Sequence, residues 1–259
     1  MRKDTIRQIT NVLALVATIV LNGLANALPL NGLTTGEISD RFDVYFVPAG
    51  YVFSIWGLIY LALSAFAVYQ ALPSQRDNPR LRSIGYLFAL SCVANIAWLF
   101  FWHYELFPLT IVAMVALLLL LIAVYLRLGI GSTAVSTIEK WLVRVPFSIY
   151  LGWVTVATVA NATSLLDYLN WDGWGISPEI WTVIMLLITT AITWAVALTR
   201  GDIAYTLVIV WALVGIAVKH ASTPIVSTTA WITTAVVALA AAVALWRTRQ
   251  GKRFTANTS

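Results

Sequence analysis

The chain is 259 residues long, 60% hydrophobic and only 10% charged, with a mean hydropathy of +0.85. Soluble domains carry about 25% charged residues, so this composition excludes a soluble globular protein and identifies a polytopic membrane protein. The net charge of +5 and pI near 9.5 reflect the basic cytoplasmic loops usual in such proteins, not a nucleic-acid partner.

A bilayer core about 30 Å thick takes roughly 20 apolar residues of helix. Eight segments meet that need: 9–30, 47–72, 83–103, 107–129, 139–163, 177–199, 202–219 and 225–246. The first follows "MRKDTIR" and contains "LANA", a signal-peptide-like pattern. Its apolar run continues into "LPL", which completes a span, so the segment is expected to be retained. The seventh, "DIAYTLVIVWALVGIAVK", is the shortest. With eight spans and an internal N-terminus, only Arg41 and Lys219 among the sixteen Lys and Arg fall outside. Both termini are therefore expected in the cytoplasm, the C-terminal one as a basic tail, 247–259.

The external loops "TTGEISDRFDVYF" (34–46) and "DYLNWDGWGISPE" (167–179) are acidic and aromatic. Trp171, Trp174 and Trp181 read as an interfacial belt, and the first loop is long and polar enough to close over a pocket. Cys92 stands alone, so it forms no intramolecular disulfide, and the two histidines, His103 and His220, make no metal cluster. The sequons "NAT" (161–163) and "NTS" (257–259) fall in a span and in the cytoplasmic tail, where glycosylation does not reach.

No Asp, Glu, Lys, Arg or His lies in the middle of a span. Ion-coupled transporters and proton pumps usually place ionisable groups there, and retinal needs a mid-span lysine with a counter-ion. Both classes are excluded. The polar residues at depth are neutral: Asn22, Asn26, Ser54, Tyr60, Asn95, Tyr150, Thr155, Thr158 and Asn161. Their commonest use is interhelical hydrogen bonding. Helical spacing nevertheless groups them with aromatics. Asn95, Trp98 and Trp102 share a face, as do Tyr150, Trp153, Ala157 and Asn161, and Trp56 and Tyr60 lie one turn apart. With the small residues Gly57, Gly152, Ala157 and Ala160 nearby, the pattern fits an uncharged aromatic cavity for a large flat hydrophobic molecule. It fits equally a dry core whose aromatics fill volume.

At these residues the chain resembles the TspO/MBR family of tryptophan-rich sensory or translocator proteins. "VPAGYVFSIWGLIYLALSAFAVY" (47–69), "ANIAWLFFWHYELFPLTIVAMVALL" (94–118) and "SIYLGWVTVATVANAT" (148–163) follow its second-, third- and fifth-helix patterns in order and spacing. The resemblance covers roughly 9–165. It implies an all-α transmembrane bundle of a five-helix unit (1–165) with a three-helix extension (166–246). The departures are Pro48-Ala49 for a doubled proline, Ile149 for a proline, Val156 for a phenylalanine and Ser164 for a tryptophan. A loose sterol-type pattern, "LIAVYLR" (121–127), carries little weight.

By that resemblance the chain would bind a porphyrin or haem-like tetrapyrrole in an intramembrane pocket, as sensor, carrier or scavenger, with no cofactor required. Matched position by position, the pocket residues are Trp56, Asn95, Trp98, Trp153 and Asn161, with Tyr60, Phe101 and Ala157 secondary. The partners are membrane lipid and a hydrophobic small molecule, with no nucleic acid and a homodimer left open, in a prokaryotic plasma membrane. Facilitative transport of a hydrophobic metabolite and tryptophan-assisted porphyrin breakdown stand as alternatives. No nucleophile or acid–base pair supports conventional catalysis.

Overall fold

A computed structural model describes the backbone of residues 2–28 and 30–256, with side chains to residue 247. The sequon at 257–259 and the tail side chains of Arg249, Lys252 and Arg253 lie outside the described residues. Among those described there is no strand. Eight long helices account for the fold: α1 (Arg2–Ala27), α2 (Gly50–Ala71), α3 (Leu87–His103), α4 (Phe107–Arg127), α5 (Thr137–Tyr168), α6 (Pro178–Arg200), α7 (Ile203–Lys219) and α8 (Pro224–Ala256). Six are long and apolar enough to cross a bilayer, and α3 and α7 are shorter apolar helices of 17 residues. Each overlaps one of the eight expected segments, with α1 beginning seven residues earlier and α5 and α8 running beyond the expected bounds.

Local chemistry sets the ends. Ser177 caps α6 through its hydroxyl, Pro178 starts it, and Gly201 ends it in the left-handed conformation. Asp202 then caps α7 by accepting from Tyr205 N–H, so two residues suffice to reverse the chain. In α5 a wide π turn, Lys140–Arg144, precedes Pro146. Proline lacks an N–H and its ring displaces the carbonyl four residues back, which the π turn accommodates.

Consecutive helices reverse direction, and the helix pairings close a ring in the order α1–α2–α5–α4–α3 and back to α1. The α6–α7–α8 group docks on this ring through α7, which packs on α5 and on the first turn of α2. About 61% of the central window of α5 is buried, against 33–39% for the other long spans, because α5 is shared by ring and docked group. Two glycines permit close approaches to backbone carbonyls. A Cβ at Gly152 would lie 3.1 Å from the Tyr205 carbonyl of α7, and one at Gly131 would sit 2.1 Å from the Arg200 carbonyl. Gly57 belongs to a different environment: it is exposed and a Cβ there would meet nothing within 4 Å, so it mediates no helix approach.

The two ends of the bundle differ as the basic residues require. At one end Arg80 pairs with Glu139 at 3.0 Å, Arg82 with Asp4 and Asp77, and Arg127 donates to the Ser83 carbonyl. Arg144 and Arg247 donate to the last-turn carbonyls of Leu128 and Leu198. At the opposite end lie Arg41, paired with Glu105, and Lys219, 3.1 Å from Asp40.

Candidate functional site

A cavity opens inside the ring toward the end that carries Arg41. Its wall takes Phe53 and Trp56 from α2, Trp98 and Trp102 from α3, Met114 from α4, and Trp153, Val156, Ala157, Ala160, Asn161 and Ser164 from α5. Over its outer end lie Thr35 and Ser39 from a short helix in the first external loop, with Val47 and Pro48 from the strand-like approach to α2. The volume is about 50 Å³, room for one or two waters and far below the ~300–1,000 Å³ of a typical small-molecule pocket.

Spacing explains the lining. Trp98 and Trp102, one turn apart on α3, stack with centroids 5.5 Å apart. Trp56 stacks on Tyr60 at 5.5 Å and meets Trp153 edge-on at 6.1 Å. Phe53 meets Trp153 edge-on from the far side at 5.7 Å. Edge-to-face contacts set the positive rim of one ring against the negative face of another, which fixes Trp153 in a single orientation.

The polar atoms divide into two sets. Asn95 accepts from Asn22 Nδ2 at 2.9 Å and donates to Tyr150 Oη at 3.1 Å, so its amide joins α1, α3 and α5. Asn161 donates to Thr110 Oγ1 at 2.9 Å. In contrast, Trp98 Nε1, Trp153 Nε1 and Asn161 Oδ1 are buried and have no partner in the protein. All three residues line the cavity. Two N–H donors and one acceptor of the wall residues are thus without a protein partner. Tyr60 Oη is likewise buried without a partner, although Tyr60 lines no part of the wall.

Of the eight residues singled out by sequence, Trp56, Trp98, Trp153, Ala157 and Asn161 meet around this cavity. Asn95 and Tyr60 sit behind it, the first as an interhelical hydrogen-bond node and the second against Trp56. Phe101 is half-buried and absent from the wall. Trp102 lines the cavity on the stripe that also carries Trp98. Thr35, Ser39, Val47, Pro48 and Met114 were not singled out as wall residues, because the loop and α4 reach the wall only through tertiary packing.

The loop is built to lie there. Thr34 and Glu37 form a capping box at its short helix, Thr35–Ser39. The indole of Trp102 donates to the Thr35 carbonyl at 3.2 Å, and Thr35 Oγ1 lies 3.0 Å from His103 Nε2. Phe42 packs on Trp102 and Phe107. Further along, Tyr45 donates to Glu179 at 3.1 Å and meets His220. Burial holds the His220 imidazole below its ordinary pKa. Its Nε2 lies 3.3 Å from the Val47 carbonyl, a hydrogen bond in which the ring donates.

Helix α7 grips the same approach from outside. Ala49 N–H donates to the Gly215 carbonyl at 3.1 Å, and the Trp211 indole donates to the Val52 carbonyl at 3.1 Å. At the other end of α7 the buried Asp202 carboxylate accepts from Tyr125 at 2.9 Å and Ser148 at 2.6 Å. These bonds satisfy a charge that would otherwise be costly to bury.

The fold and the site together define a multi-pass membrane protein with a lidded aromatic cavity inside a helical ring. The chain belongs to the TSPO-like protein family, whose model matches residues 8–243. That match runs from α1 through most of α8 and includes the docked α6–α8 group. No curated protein and no solved structure matches the chain.

Proposed function

We propose that the ring cavity binds a large flat hydrophobic ligand, a porphyrin or other tetrapyrrole, and that the protein senses, carries or scavenges it in a prokaryotic plasma membrane. The observation that carries this reading is the group of unpartnered polar atoms in an otherwise aromatic wall: Trp98 Nε1, Trp153 Nε1 and Asn161 Oδ1. A buried polar atom without a partner costs about 1–3 kcal/mol, and three such atoms belong to residues of this one wall. A tetrapyrrole offers ring faces to the tryptophans and carboxylate oxygens to the two indole N–H groups. At about 50 Å³ the cavity is the closed form of such a site, and binding requires outward movement of the 34–48 loop and rotation of Trp98 or Trp56. The reading needs no resident cofactor.

The test is titration of the detergent-purified protein with protoporphyrin IX, followed by the porphyrin absorbance band. Saturable binding is expected, weakened about 2- to 10-fold by Trp153→Phe, the equivalent of one hydrogen bond. Ala157→Phe, which fills the cavity from the wall, is expected to abolish binding while circular dichroism is unchanged. Non-saturable uptake, or equal affinity in all three proteins, would remove the tetrapyrrole from this site.

A further inference from the structure

A second cavity, about 180 Å³, lies outside the first and shares none of its wall residues. It sits between the segment 43–46, the last turn of α5, the 171–176 loop and the start of α6. Two indoles, Trp171 and Trp181, form its aromatic wall with Tyr45, and three carboxylates, Asp43, Asp167 and Asp172, stand around it. No Lys or Arg lines it. We propose that this vestibule binds an organic cation of the quaternary ammonium type.

Four observations lead there. First, the indoles are held for recognition and not left as free interfacial anchors. Trp181 Nε1–H donates to the Gly173 carbonyl at 2.9 Å, Trp171 packs on Trp181 with centroids 5.2 Å apart, and both rings are half-buried. Trp174, 76% exposed, meets both rings edge-on at 5.3 and 5.9 Å. Second, among the described residues the carboxylates on the cavity make no ion pair, in contrast to Asp40 and Glu105 of the same outer surface, which pair with Lys219 and Arg41. Asp172 accepts from Trp174 N–H. Three carboxylates with no Lys or Arg in the wall give a locally negative field, which rejects anions and concentrates cations.

Third, the carboxylates do not converge. Among the described residues no three His, Cys, Asp or Glu form a metal-like cluster, so a small hard cation lacks a coordination shell. Fourth, a diffuse negative field over indole and phenol faces is the chemistry that recognises a methylated ammonium, whose charge is spread over CH groups that lie against the rings. The size agrees. About 180 Å³ takes such a head group but falls below the ~300–1,000 Å³ of a drug-sized ligand. Two sources share this chemistry, a free organic cation and the head group of a choline lipid.

The experiment is equilibrium binding of radiolabelled choline to the full chain in maltoside micelles free of choline lipid. The controls are 3,3-dimethyl-1-butanol, the neutral isostere of choline, and an ionic-strength series. Saturable choline binding is expected, not displaced by the isostere and weakened by salt. The Asp43→Asn/Asp167→Asn variant, altered only at exposed positions, is expected to bind at least five-fold more weakly with an unchanged melting temperature. Trp181→Phe, which keeps an aromatic face but loses the tether to Gly173, should weaken binding as well. Added phosphatidylcholine bicelles separate the two sources: loss of choline binding assigns the site to the lipid head group, and retention assigns it to a free cation. Absence of saturation, displacement by the isostere, or equal affinity in both variants overturns the proposal.

Discussion

Asn95 accepts a hydrogen bond from Asn22 and donates one to Tyr150, so one amide at mid-membrane ties three of the five ring helices. Its burial beside Trp98 and Trp102 is legible from i, i+3, i+7 spacing. Its partners are not, because nothing in the sequence pairs Asn22 of α1 with α3 across 73 positions. Interhelical hydrogen bonds in membranes average about 0.6 kcal/mol, with a maximum near 1.7. Asn95→Ala should therefore lower stability by about 1–2 kcal/mol, and Tyr150→Phe by about 0.6 kcal/mol. A double-mutant cycle over the pair, measured by SDS titration of mixed micelles, should return a coupling of about 0.6 kcal/mol. A coupling of zero would mean that the Asn95–Tyr150 bond does no structural work. The same scale shows where reading by stripe falls short. Phe101 shares the aromatic run of Trp98 and Trp102 yet lies off the wall, since consecutive helical residues are about 100° apart and face different neighbours.

Helix α7 is the shortest apolar segment in the sequence and one of the most enclosed in the structure, with Ile209, Ala212, Leu213, Ile216 and Ala217 at most 1% exposed. A helix packed between α5, α6, α8 and the start of α2 need not satisfy lipid on all sides. Its length is set by its cap at Asp202 and by its contact with the 48–52 turn. That contact is legible only in three dimensions. Gly215 meets Pro48 and Val52 because it has no side chain: a Cβ there would stand 2.2 Å from Val52 Cγ2 and 2.9 Å from Pro48 Cβ. Gly215→Ala should cost about 1–3 kcal/mol of stability by overpacking. Because the displaced turn leads into Phe53 and Trp56, protoporphyrin affinity should fall as well. Gly57→Ala, also in a helix but facing open space, should be neutral or stabilise by up to about 1 kcal/mol. Equal effects of the two substitutions on melting temperature and on affinity would refute the idea that α7 braces the site.

At the scale of the whole molecule, the basic end is knitted by ion pairs and by arginines bonded to helix-end carbonyls, whereas the outer end carries a loop folded over the ring cavity. Two pairs pin that loop across its span: Arg41 with Glu105 of the α3–α4 turn, and Asp40 with Lys219 at the end of α7. Both are partly exposed, and such pairs contribute only about 0–1 kcal/mol each. The rest of the loop's hold comes from the Trp102–Thr35, Tyr45–Glu179 and His220–Val47 hydrogen bonds and from Phe42 packing, so the pairs are one separable part of the cost of lifting it. A ligand that enters from the outer face would meet this loop first, and the pairs would act on rates more than on affinity. An Arg41→Gln/Lys219→Gln variant should raise both association and dissociation rates of protoporphyrin IX, by about five-fold if the pairs together contribute about 1 kcal/mol. Its equilibrium constant should change less than about two-fold, since the pairs touch neither cavity nor ligand. Added salt should accelerate the wild type toward the variant and leave the variant unmoved, because screening removes the same interactions. Stopped-flow rates that are identical in both proteins at every ionic strength would place the path elsewhere, laterally from the lipid between ring helices.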